Sequence, residues 1–525
     1  MESELSADGA ADLLFTLYRK GVKVYIDNGR LRYQAPKGTV TLDELTRLRA
    51  LKEEILALLV QAPSILTDAP LVPRPASDRV PLTVIQQVTL DWFGFSRRAR
   101  ALDTFPMRLV GELNIKSLRE TFVELVRRHE SLRTRIVCID GIPEQEVDEA
   151  VGFDLENIPL SGISKGDREI EARRFIAQRF RERVDVAVGP LFAARLLKLD
   201  DQDHVLVISW DHLFWDAVSL GILWRDIWTM YTQSVRGLPF SLPKMPIQLG
   251  DFAVWEQKTS KSWMDKHDAY WSERLAGAQL VRLFVDEEMA KASGQKIQQL
   301  SIAFEKSLIA EVCEWSRQEQ TTPMMSLLTA YIALVLRWCN KTDLVIYVPV
   351  VGRCHPEVKN TIGSLACGML LRIQIVEDDS FLDLSRRVAK EYGTAYEHVD
   401  VLRSQISEPE LLRSTTFNWF PSGYNLDPVA YFENSVAGEF DQAIRLQPFT
   451  SESAPPDDDF EWDKPEGELF LGISETKEGV TAYMNYRADR VTRSTVERFA
   501  EHFRSFIKIL VRNPKAQVMT MSCQL

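Results

Sequence analysis

The stretch Val205-Leu-Val-Ile-Ser-Trp-Asp-His-Leu-Phe-Trp-Asp-Ala-Val-Ser219 gathers reactive side chains at one place in the chain. An apolar run spaced as a buried strand ends abruptly in Asp211 and His212, and Asp216 follows just before a helical pattern. Alternation assigns Val205, Val207, Ser209 and Asp211 to one face and Leu206, Ile208, Trp210 and His212 to the other. Asp211 and His212 therefore point in different directions unless the strand has already broken. Histidine as a residue type changes charge near neutral pH, so at a strand's end it suits proton transfer or the orienting of a nucleophile. A single histidine beside apolar residues also fits a structural role, and Asp216 by itself reads as a helix-start carboxylate.

The elements that must position these groups follow from periodicity. His204 to Trp210 reads as a strand and Val218 to Tyr231 as a helix. Ser117 to His129 is an amphipathic helix, Leu344 to Val350 a buried strand, and Ser494 to Leu510 a closing helix. From Arg79 onward strands and helices alternate without repeats, which predicts an α/β (α+β) body large enough for two lobes. A break is expected between Pro239 and Trp271, where Pro243-Lys-Met-Pro246 interrupts the pattern, and the acidic run Ala454 to Asp463 reads as a crossover loop.

The N-terminus reads as a separate small module. Leu13, Leu14, Leu17 and Tyr18 have helical spacing, and Gly21 follows as a stop. Val22 to Asp27 and Arg30 to Tyr33 form two strands about Asn28-Gly29, the strongest short hairpin signal. Thr41-Leu-Asp-Glu44 has capping-box spacing and opens a leucine-rich helix. Arg19, Lys20, Lys23, Arg30, Arg32 and Lys37 surround the hairpin. That surface suits an extended acidic peptide added as a strand, and it equally suits solvating charges that protect an edge. Residues 61–75 are proline-rich and read as an extended tether. The expected division is a module at 1–62, a linker at 63–78, a first lobe at 79–255 and a second at 256–525, with a crossover near 450–465.

Composition bounds the rest. The chain has 525 residues, 45% hydrophobic and 26% charged, with a formal net charge of −12. That charge gives no support to a nucleic-acid partner. No apolar run approaches the roughly 18 residues needed to span a bilayer, and the first residues are unlike a signal peptide. The six cysteines lie far apart with no metal-ligand spacing, as expected of reduced, mostly buried thiols in a cytoplasmic protein. There is no P-loop, no GxGxxG after a strand, no HExxH and no GxSxG. Lone His129, His355 and His398 read as structural.

The central stretch resembles the signature of condensation domains of nonribosomal peptide synthetases: two His, three variable residues, Asp and Gly. Other segments match the family in order. Arg128 to Thr134 is similar to its second motif, Gly250 to Trp255 to the fourth, Val348 to Arg353 and Ile362 to Arg372 to the region of the fifth. His398 to Val401 is a shortened sixth, and Phe417 to Pro421 resembles a later segment. The resemblance implies the two-lobed, V-shaped chloramphenicol-acetyltransferase-like fold. It assigns catalysis to His212 and structural tasks at the active site to Asp211, Asp216, Ala217 and Ser219, with Arg133 paired to Asp216. Residues 6–60 resemble the TubC-like β-hairpin docking domain, which implies binding of a short linear C-terminal motif of an upstream synthase through Lys20, Lys23, Tyr25, Arg30, Arg32 and Tyr33.

The chemistry so implied is attack by an amine or hydroxyl acceptor, small or carrier-bound, on an acyl or peptidyl thioester. The thioester rides on the phosphopantetheine arm of a partner carrier protein, and no cofactor is expected to bind tightly. No adenylation or carrier domain fits this length, so the loaded carrier is borrowed by a chain expected to be a monomer. Departures keep two other readings open. Asp211 stands where the family has its first His, Ala217 where it has Gly, and the Arg-Leu-Trp after Pro81 to Gln87 is missing. Asp211, Asp216 and Ser219 also fit the signature of heterocyclisation domains, although Leu132-Arg-Thr134 and Arg372 follow the condensation pattern. Altered signatures occur as well in condensation-like platforms that recruit partners without catalysis.

Overall fold

The computed structural model describes residues 23–27, 30–34, 40–52, 70–75, 78–93, 99–149, 152–283, 297–353, 355–398, 411, 414–420, 444–449, 469–476 and 479–520. Lys20, the helix expected over residues 6–20, the 454–463 loop, Val399 to Val401, Pro421, Cys354 and Cys523 lie outside them.

The hairpin forms as its turn signal predicts: Lys23–Asp27 pairs antiparallel with Arg30–Gln34, with Asp27 opposite Arg30. The following helix, Leu42–Ala50, opens on a capping box. Thr41 Oγ1 accepts the Glu44 N–H (3.2 Å), and Glu44 Oε2 accepts the Thr41 N–H (2.9 Å). These reciprocal bonds satisfy donors that a helix start otherwise leaves bare.

The first lobe is a five-stranded sheet in the order Ile444–Pro448, Asp103–Gly111, Asp203–Trp210, Phe192–Asp200, Glu156–Pro159. Its central strand is buried almost throughout because both faces are covered. Leu206, Ile208 and Trp210 enter the core shared with helices Ile115–Arg128 and Ala217–Val235. Val205 and Val207 pack with Ala172 and Ile176 of helix Arg168–Arg181. The alternation read from sequence thus assigns each face its own set of helices.

The second lobe is a six-stranded sheet ordered Ile297–Ala303, Gly479–Arg487, Leu469–Thr476, Thr416–Phe420, Asp343–Val350, Cys367–Gln374. Its main core helix, Pro323–Cys339, is buried continuously from Ser326 to Leu336. Thr322 caps its start, and Pro323 sits where no backbone donor is needed.

The lobe break and the tether differ from expectation. The break at 255/256 falls inside one unbroken helix, Leu249–Leu275. Leu249 packs in the first core, Trp271 and Leu275 in the second, so this helix bridges the lobes. Pro243 and Pro246 precede the helix start rather than ending a lobe. The expected crossover near 450–465 falls between Ile444–Pro448, which pairs with Asp103–Gly111 in the first sheet, and Leu469–Thr476 of the second. The end of the tether is docked rather than free: Leu71 is buried in the first core. Arg74 donates through its backbone N–H (3.0 Å) and Nη1 (2.7 Å) to Asp251 Oδ1, and through Nη2 (2.8 Å) to Glu130 Oε2.

Of the four described cysteines only Cys367 is buried, and Cys138 is exposed. Among the described residues no single helix is long and apolar enough to cross a membrane.

Candidate active site

The Asp203–Trp210 strand ends where Trp210 pairs with Asp103, the first residue of its neighbour. The chain then turns sharply. Asp211 donates its N–H to Leu191 O (2.9 Å), and its Oδ1 accepts the Leu213 N–H (2.9 Å), capping the short 3-10 turn His212–Phe214. Asp211 is wholly buried. A carboxylate at this position therefore serves the backbone, which is what lets the strand break here.

His212 is the next residue, and its side chain is 37% exposed. Its Nδ1 is shut off from solvent and lies 3.2 Å from Asp103 Oδ2, out of line for a hydrogen bond. The accessible part of the ring is thus the remainder, which includes Nε2. Trp215 meets the imidazole edge-on, with ring centroids 4.6 Å apart and planes at 84°.

Asp216 ends the loop and caps helix Ala217–Val235. Its Oδ1 accepts the Ser219 N–H (2.8 Å) and its Oδ2 accepts the N–H groups of Leu365 (3.0 Å) and Ala366 (2.9 Å). Arg353 closes the cage with a two-pronged contact, Nη1 to Oδ2 at 2.7 Å and Nη2 to Oδ1 at 2.9 Å. Both side chains are only 5% exposed. Burial alone would push the Asp216 carboxyl up, but the Arg353 charge and the hydrogen bonds outweigh it and hold it below its ordinary value. Ser219 Oγ lies 2.8 Å from Asp216 Oδ1 and accepts the Gly363 N–H (3.0 Å). Gly352 makes room for this arrangement, since a Cβ there would sit 1.9 Å from Leu365 O. A loop of the first lobe is thereby fastened to two segments of the second.

The pairing of Arg133 with Asp216 is corrected. Arg133 lies on the turn Glu130–Arg133, and its Nη1 donates to the Asp148 carbonyl. Arg353 occupies the place beside Asp216 instead, brought there from the end of the Asp343–Val350 strand. Sequence reading missed Arg353 as the partner, although its segment resembles a family motif. Asp103, too, was missed, because nothing in a sequence aligns a strand's first residue with a loop a hundred positions later.

The histidines read from the sequence as structural, His129, His355 and His398, sit in contacts with their neighbours. His129 Nε2 lies 3.0 Å from Asp226 Oδ2, both fully buried, and Arg128 and Arg225 flank the carboxylate. Burial holds His129 below its ordinary pKa, and although burial alone would raise Asp226, its partners hold it low: a neutral ring donates to a charged acid. His355 packs against Trp255, and His398 stacks on Tyr270 with its Nδ1 2.6 Å from His267 Nδ1. Among the described residues no cluster of three or more His, Cys, Asp or Glu is placed to hold a metal.

At the hairpin, the register sets Lys23 opposite Gln34, Val24 opposite Tyr33 and Tyr25 opposite Arg32. Arg32 and Tyr33 are exposed, and as neighbours on one strand they lie on opposite faces. The expected docking residues therefore do not share a single face.

The Arg353–Asp216 pair sets two expectations. Arg353→Met leaves a buried carboxylate without its counter-charge and lowers stability by about 3–5 kcal/mol in chemical denaturation. Because the folded-state pKa of Asp216 is depressed, its contribution is present above the unfolded value of about 3.9 and is lost as pH falls through the folded value. Thermal unfolding followed below about pH 4 should consequently fall less steeply for Asp216→Asn than for the native chain.

With this geometry established, comparison with known proteins is informative. A family model described as Condensation domain matches residues 77–524, and one described as TubC N-terminal docking domain matches residues 11–61. A linear gramicidin synthase protein of Brevibacillus parabrevis is 28% identical over 485 residues, covering 91% of this chain and 9% of that protein. A surfactin synthase protein of Bacillus subtilis is 26% identical over 461 residues, covering 85% and 12%. The chain thus spans only a small part of the length of these relatives. Among solved structures, the complex of the X-domain and OxyB from teicoplanin biosynthesis superimposes with a TM-score of 0.71 at 19% identity, over 88% of this chain and 99% of that one. The structure described as the molecular basis for condensation domain-mediated chain release from the enacyloxin polyketide synthase gives 0.63 at 17% identity, over 99% of each. The EpoB cyclization-docking bidomain from Sorangium cellulosum gives 0.67 at 20% identity, over 96% and 98%. At these identities the structures attest the fold alone, while the family match extends across nearly all of the two-lobed body. The chain belongs to the condensation-domain family and carries a TubC-type docking domain ahead of that body.

Proposed function

We propose that the protein joins a carrier-bound acyl or peptidyl thioester to an amine or hydroxyl acceptor, forming an amide or an ester in nonribosomal peptide or polyketide biosynthesis. The observation that carries this reading is the loop's division of labour: His212 is 37% exposed, whereas Asp211, Asp216 and Ser219 are buried and engaged. In the reaction the acceptor's nitrogen or oxygen bonds to the thioester carbonyl carbon and the C–S bond breaks. The acceptor's proton passes by way of His212 Nε2 to the departing pantetheine sulfur. The phosphopantetheine arm is part of the substrate, delivered by the partner carrier. Holding donor and acceptor together accounts for roughly 7–11 kcal/mol of barrier, and the imidazole adds about 10²–10⁴-fold. A hydroxyl acceptor, with its high pKa, depends on His212 more than a neutral amine does.

The same division of labour weighs against heterocyclisation, whose signature residues Asp211 and Asp216 are spent on backbone donors and Arg353. It also weighs against the recruitment-platform reading. Asp211 in place of the first His keeps the turn folded, so that departure does not disable His212. The reading includes chain release by a free acceptor, in a cytoplasmic setting. The docking hairpin raises the local concentration of the partner's carrier by holding a short C-terminal motif.

Reconstitution with the partner's loaded carrier tests the chemistry. His212→Ala should lower product formation by about 10²–10⁴-fold with carrier binding intact, and unchanged turnover removes His212 from the mechanism. The docking claim predicts that Arg32→Glu weakens carrier-dependent turnover several-fold while sparing a small soluble thioester. Equal loss on both substrates contradicts it.

A further inference from the structure

We infer that Asp103, held by Trp215, is the positioning residue that fixes the orientation and tautomer of His212. Two independent features converge on it. Sheet register sets Asp103 opposite Trp210, two residues before His212, so its carboxylate is carried on a rigid strand end beside the turn. Its Oδ2 accepts the Trp215 indole N–H at 3.1 Å and lies 3.2 Å from His212 Nδ1.

Trp215 is itself immobilised. It packs edge-on against Phe105 at 4.9 Å, lies near-parallel to Trp210 at 6.4 Å, and meets His212 at 4.6 Å. The indole therefore aims the carboxylate, and the carboxylate faces the buried ring nitrogen. A carboxylate accepts and cannot donate, so its neighbour Nδ1 must carry the proton. Nε2, on the accessible part of the ring, then holds the lone pair. The contact is out of line for a hydrogen bond in this structure, and contacts of this kind commonly tighten only when reactants bind. The inference rests on the condensation reading for its kinetic consequence but not for its tautomer.

The test is spectroscopic first. In full-length protein labelled with ¹³C,¹⁵N-histidine, with the His212 signals assigned by His212→Gln, the neutral ring should be mainly the Nδ1–H form. Asp103→Leu, which is close in shape and removes both acceptor oxygens, should move the population toward Nε2–H. Trp215→Phe, which removes the indole donor and part of the ring packing, should broaden or mix the two forms. With an acyl N-acetylcysteamine thioester and an amine or alcohol acceptor, Asp103→Leu should lower kcat at least tenfold while KM for the thioester changes less than twofold. An unchanged tautomer in Asp103→Leu overturns the inference, whatever the activity. A changed tautomer with equal turnover in native protein and His212→Ala sinks the condensation reading instead. Equal falls in kcat and rises in KM, with the tautomer unmoved, indicate a merely structural role and also overturn it.

Discussion

The structure turns on one buried ion pair. Asp216 belongs to the first lobe and Arg353 to the second, and each is almost wholly excluded from solvent. Removing two charges from water is costly, and the cost is offset here because both oxygens of Asp216 are met by donors, Oδ1 from both lobes and Oδ2 from the second. The arrangement trades stability for definition: the loop between Trp210 and Ala217 has one place to lie. The imidazole it carries is thereby presented from a fixed base rather than from a mobile loop.

Most of the polar residues that mark this chain as a condensation domain are structural in this sense. His129 and Asp226 tie the helix Ile115–Arg128 to Ala217–Val235, and Arg74 draws the end of the tether against Asp251 and Glu130. Arg372 pairs with Asp343 and reaches the carbonyls of Arg274 and Ala276 at the end of the bridging helix. Under the proposed reaction, what remains for chemistry is small: one ring, its buried nitrogen facing Asp103 and its other edge open. That economy suits a reaction whose donor arrives already activated and whose main requirement is placement.

Local features were the legible ones. The capping box at Thr41, the hairpin about Asn28-Gly29 and the alternation of Val205 to Trp210 follow from short-range rules, and each has its counterpart in the structure. The end of the strand was legible because the apolar run of Val205 to Trp210 gives way to Asp211 and His212, and the strand does end at Trp210. The partner of Asp216 was not, because an ion pair between residues 137 positions apart leaves no periodic trace. Gly352 beside Arg353 was the available signal, since a close backbone approach demands it there. The lobe boundary was misplaced for a related reason: prolines at 243 and 246 mark where a helix begins, and nothing in the sequence says that the helix then crosses from one core to the other.

The central claim is that the His212 ring stands where the arm-borne thioester arrives. The direct measurement is chemical footprinting of His212 with diethyl pyrocarbonate, read by peptide mass spectrometry, with the partner's carrier present in acyl-loaded form or lacking its arm. The account predicts modification of His212 in the free protein and protection by the loaded carrier alone. A ring that resists modification in the free protein, or that is protected equally by both carriers, contradicts it.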